Sequence, residues 1–135
     1  MPELAPTKGT LAHLLLYLRQ LPTAGDTAFL VVTVPKFADA FVQVTWSLDG
    51  FGVDHPLVSP AQLAREPAIR DACAQVGHVV VEVPLDEGDR ALDCYLPNDA
   101  TLAGVVIAAI LRSAMGVTDT TVLEYSGNDI AAVAG

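Results

Sequence analysis

The sequence predicts an α+β fold, an antiparallel sheet with its helices packed on one face, and three observations carry that expectation. Residues 98–115 form a long apolar run between helix-end signals, and residues 41–48 alternate strictly between apolar and polar side chains. The remaining periodic segments fall into the order α-β-β-β-α-β-β-α, with strands joined by short turns.

Residues 1–9 carry Pro2, Pro6 and Gly9 and read as a frayed lead-in. Thr10 can cap a first helix that runs to Leu21, where Leu11, Leu14, Leu15 and Leu18 mark one apolar face and Pro22 ends it. After a turn at residues 23–26, residues 28–34 are apolar in both alternating sets except at Thr33. That pattern places a strand in the middle of a sheet or against a partner chain. In residues 41–48, Phe41, Gln43, Thr45 and Ser47 point one way while Val42, Val44, Trp46 and Leu48 point the other, with Trp46 as the expected apolar anchor. Asp49-Gly50 is a hairpin signal, and residues 51–57 can return as a short edge strand.

Ser59 followed by Pro60 opens a second helix over residues 61–76, kinked or split at Pro67 and ended by Gly77. Residues 78–83 then form a fourth strand, Asp86-Glu87-Gly88-Asp89 its turn, and residues 90–96 a fifth. The last helix starts after Pro97, with Asn98 or Asp99 as cap and Gly116 as a left-handed stop. Its uncharged stretch from residue 100 to 111 is too short to span a bilayer and belongs to the core. The chain divides into the lead-in, a single domain over residues 10–117, and an acidic tail over residues 118–135.

Seven Lys and Arg against 16 Asp and Glu give a net charge of −9, which repels phosphate backbones and anionic lipid heads, so nucleic acid and membrane are not expected partners. Two cysteines in a chain able to bury its own core, behind an acidic start with no cleavage pattern, indicate a cytoplasmic protein. His13, His55 and His78 are scattered, with no His/Cys pair at ligand spacing, so neither metal nor cofactor is expected. Asp54-His55 and Asp93-Cys94 are neighbours in sequence, but on strands their side chains take opposite faces. A hairpin could bring Cys94 near His78, although an inward cysteine is more often packing than nucleophile. No residue emerges as catalytic.

Read together, FVQVTWSLDGFGVDH, PAQLAREPAIRDACAQVGH, VVVEV and DATLAGVVIAAILRSAMGV resemble the YbjN-like and TY-Chap group of small bacterial domains, which are related in fold to type III secretion chaperones. The resemblance covers residues 10–117 and contains no catalytic motif. It implies a non-enzymatic, often dimeric, chaperone-like or adaptor module that binds a protein or peptide on a sheet face, groove or strand edge. On the second strand, Phe41, Gln43, Thr45 and Ser47 are the candidate binding row, since neutral polar groups hydrogen-bond without the desolvation penalty of a charge; the other reading is that Gln43, Thr45 and Ser47 simply meet water as the polar side of a two-layer domain. The alternative is a small-molecule sensor or small enzyme with a pocket between helix and sheet.

Overall fold

A computed structural model of the chain describes residues 3–25 and 27–133. Pro2 of the expected lead-in, Asp26 of the expected turn and the last two residues of the expected tail lie outside them. A seven-stranded antiparallel sheet runs through the molecule in the order β1-β7-β2-β3-β4-β6-β5. Its strands are β1 (Glu3–Gly9), β2 (Phe29–Thr33), β3 (Phe41–Ser47), β4 (Gly50–Leu57), β5 (Val81–Pro84), β6 (Arg90–Leu96) and β7 (Leu123–Asn128). The helices are α1 (Leu14–Leu18), α2 (Leu21–Ala24), α3 (Pro60–Gln75) and α4 (Ala100–Met115). The α+β class and the inner element order agree with expectation, and no helix of the described residues is long and apolar enough to cross a membrane.

Both ends of the chain depart from expectation. Residues 3–9 are not a lead-in, nor does the segment after Val117 remain a tail: β1 pairs with β7, and β7 pairs with β2. Neither strand is strongly patterned alone, but each completes the other. The register shift between Leu4 and Thr7 accommodates Pro6, which has no N–H for the ladder, and the strand sits at the sheet edge, where proline is tolerated. Leu123 and Tyr125 are fully enclosed, and the Tyr125 ring stacks on Tyr17 of α1 with centroids 4.5 Å apart. That pair, with Phe51, supplies the largest enclosed aromatic surface. Trp46, the expected anchor, is only partly buried at the end of β3, where its Nε1 donates to Asn98 Oδ1 at 2.9 Å.

Several local expectations also shift. Residues 11–13 form a 3₁₀ turn that leads into α1, and Pro22 lies in the first turn of α2 rather than ending a helix, because a first-turn proline forfeits no intrahelical bond. β4 is interior, not an edge: α3 carries the chain across so that β6 pairs with β4 and β5 takes the outside. Leu48 belongs to the hairpin tip and is 89% exposed, since Ser47 pairs directly with Gly50. Pro67 is accommodated inside one continuous α3, capped by Ser59, whose side chain accepts from the Gln62 N–H. β5 begins at Val81, so His78 precedes the ladder and is not a strand neighbour of Cys94.

The expected apolar helix is α4, capped by Asp99 and stopped by Gly116 at φ 63°. Val106, Ile107, Ile110 and Leu111 are fully enclosed, whereas Val105 is half exposed. Each enclosed large side chain contributes about 1.5–3 kcal/mol. The inward residues of β2, β3, β4 and β6 meet this helical layer, which leaves Gln43, Thr45 and Ser47 on the opposite side of the sheet.

Candidate functional site

Pairing register builds the uncovered face. One row crosses the sheet as Ser126, Val31, Gln43, Asp54, Asp93 and Val81, and the next carries Phe29, Thr45, Gly52 and Tyr95. Between β3, β4, β6 and β5 these rows line a groove of about 320 Å³, walled by Gln43, Thr45, Asp54, Asp93 and Tyr95 and flanked by Leu85. Gly52 leaves the floor open: a Cβ there would stand 3.1 Å from Thr45 Oγ1.

The structure brings two of the four expected binding residues into this groove, Gln43 and Thr45. Ser47 sits at the hairpin, where its Oγ accepts from the Asp49 N–H at 3.2 Å. Phe41 lies at the other end of β3, near Pro56 and Asp39. Pattern reading correctly places Asp54 and His55 on opposite faces, and likewise Asp93 and Cys94. It misses who stands beside them. Asp54 and Asp93 are cross-strand partners, and Cys94 meets Cys73 of α3 inside the core. Both cysteines are free and fully buried, and Cys73 is held well above the ordinary thiol range by its hydrogen bond with Cys94 and by burial.

Two carboxyls side by side in a half-buried groove cannot both ionise freely. The Asp54 carboxyl is pushed from 3.8 to about 7 by burial first, then by the hydrogen bond and charge of Asp93. Tyr95 donates its hydroxyl to Asp93 Oδ2 at 3.1 Å, while Asp93 Oδ1 is buried without a partner. Among the described residues no lysine or arginine forms an ion pair with either aspartate. Because the folded form holds the Asp54 proton more tightly than the unfolded chain, this pair stabilises below the ordinary carboxyl range, and that contribution is lost as pH rises through about 7. Asp54→Asn is therefore expected to raise the thermal midpoint strongly near about pH 8 and clearly less near about pH 5. Equal shifts at the two pH values would show that the carboxylates do not oppose each other.

A second concavity, about 450 Å³, opens on the helical side between α1 and α4. Leu11, Leu15, Gly104, Val105 and Ala108 line it, and the Arg112 to Asp119 ion pair, 3.0 Å, stands at its end. His13 Nδ1 accepts from the Thr10 N–H at 3.0 Å and so caps the turn that Thr10 opens. Among the described residues no group of three His, Cys, Asp or Glu side chains could hold a metal ion.

Fold and groove together describe a small open-faced α+β domain with an acidic concavity on its uncovered sheet. No protein-family model matches the chain, and no curated protein or solved structure matches it either.

Proposed function

We propose that the protein is a non-enzymatic docking module, chaperone-like or adaptor in kind, that receives an extended segment of a protein partner on its uncovered sheet face. The observation that carries this reading is the groove over β3, β4, β6 and β5. It combines hydrogen-bonding Gln43 and Thr45, an exposed Tyr95 ring, apolar Leu85 and a pair of carboxyls with no cation beside them. A lysine or arginine of the incoming segment would restore ionisation of the Asp54–Asp93 pair and could stack on Tyr95. The chain's charge of −9 favours encounter with such a segment.

The edge strand β5 offers unpaired backbone groups next to the groove, with Val81 exposed on it and Val79 exposed just before it. Strand addition there is the geometry by which a peptide, or a second copy in a homodimer, would extend the sheet. A cytoplasmic setting belongs to the same reading, in keeping with two free thiols. The small-molecule alternative, expected in a pocket between helix and sheet, would instead draw on the cleft between α1 and α4. Its two charged side chains, Arg112 and Asp119, are paired with each other, and Thr101 is the remaining polar residue of its lining.

Calorimetry with a capped octapeptide of alternating valine and threonine carrying one central arginine tests the proposal. Binding in the micromolar range is expected, weakened at least about tenfold by an Arg→Glu change in the peptide or by an Asp54→Asn, Asp93→Asn double substitution. Absence of binding, or equal binding of the two peptides, refutes it. A Gln43→Lys, Thr45→Lys variant that retains full affinity would also refute this face as the site.

A further inference from the structure

His55 is the buried polar side chain that the docking reading leaves unused. It faces the helical layer from β4, is 2% exposed, and neither ring nitrogen has a hydrogen-bond partner. Its ring lines a small cavity among Asp39, Phe41, Gln62, Arg65 and Met115, at the seam between β4, the first turns of α3 and the loop over residues 34–40.

Side chains of α3 hold this seam together. Arg65 donates to the carbonyls of Ala38 and Asp39 at 2.8 and 3.0 Å. Gln62 Oε1 accepts from the N–H groups of Val58 and Ser59, both at 3.0 Å, while its Nε2 donates to the Asp39 carbonyl. The Gln62 amide oxygen and the Ala38 and Asp39 carbonyls beside the cavity thus already accept hydrogen bonds. An imidazolium has two donors and a charge to satisfy, and a buried charge without a partner is strongly destabilising. The charged groups around the ring are Arg65 from α3, a like charge; Asp39 from the loop, itself exposed; and Asp93 from β6, which attracts the proton from the other face of the sheet. α4 contributes Met115 and β3 contributes Phe41, both uncharged.

We infer that His55 is the trigger of an acid-opened latch: a proton on its ring parts residues 34–40 and the first turns of α3 from β4 while the rest of the sheet stays paired. The direction follows from burial, which lowers the His55 pKa from 6.5 to about 4 against the weaker pull of Asp93. The open form binds the proton more tightly than the closed one. Closure is therefore at full strength above the ordinary imidazole range and is lost as pH falls from about 6.5 toward about 4. The Asp54–Asp93 pair responds with the opposite sign and cannot imitate this loss.

Hydrogen exchange read by mass spectrometry at about pH 7.5 and about pH 5, corrected for the intrinsic pH dependence of exchange, tests the latch. Protection over residues 34–40 and 58–65 is expected to fall at least about tenfold at the lower pH while β2 and β7 hold, and His55→Leu should abolish the difference. Should that variant fail to fold, ring signals of His55 in the native protein decide instead. They should stay neutral in the closed form and show a protonated population only as the two segments open. A ring that titrates near 6.5 with both segments protected overturns the inference. So does a loss of protection spread evenly over the sheet, or one that persists in His55→Leu.

Discussion

A chain ending at Val117 is expected not to fold. Removing residues 118–135 takes away β7, which lies between β1 and β2, so β1 loses the strand it pairs with and β2 loses one of its two ladders. It also deletes Leu123 and Tyr125, both 0% exposed, and Ile130, at 7% exposed, and leaves the Tyr17 ring without its stacking partner. At about 1.5–3 kcal/mol for each enclosed side chain, the loss is of the same size as the whole stability of an ordinary domain, about 5–15 kcal/mol. Circular dichroism of the truncated chain should show an unfolded spectrum with no cooperative thermal transition. A melting curve within a few degrees of the full chain would mean that β7 is not part of the folded sheet.

The second large effect is expected from Gly50→Ala. Gly50 opens β4 at φ 131°, a conformation that L side chains rarely adopt. A Cβ at this position would overlap the Leu96 carbonyl oxygen and stand 2.9 Å from the Pro97 carbonyl carbon, both backbone atoms of the neighbouring strand end. Neither can move without disturbing the β4 to β6 ladder or the Asp99 cap of α4. Strain and overlap together should cost about 3 kcal/mol or more. Gly88→Ala is the control: it also has a positive φ but meets nothing within 4 Å, so strain alone applies there. A Gly50→Ala midpoint in urea equal to that of Gly88→Ala would exclude the close approach.

How much of the groove is legible in sequence depends on the distance over which each of its features acts. Alternation along β3 is local, because successive side chains on a strand face opposite ways, and it puts Gln43 and Thr45 on the uncovered face with no knowledge of neighbours. The same pleat separates Asp54 from His55 and Asp93 from Cys94. What brings Asp54 to Asp93 is the register between β4 and β6, which lie on either side of the α3 crossover and of β5. A single acidic residue on each of two apolar strands is the one local sign of the pair, and it acquires meaning only once those strands pair. Pairing of Cys73 with Cys94, on α3 and β6, likewise depends on packing of helix against sheet.

By itself, the sequence determined the α+β class, the inner order of helices and strands, the Ser59 cap of α3, the Gly116 stop of α4 and the inward face of β3 at Val42 and Val44. Each of these rests on side-chain periodicity or backbone chemistry within a few residues. Only the tertiary structure decided that β1 and β7 are strands, that β4 is interior and β5 an edge, and that Tyr17 and Tyr125 rather than Trp46 lie deepest in the core. Those outcomes depend on contacts between segments as far apart as Glu3 and Asn128. Strands as short as these are marginal alone, and a long-range partner is what makes them strands at all.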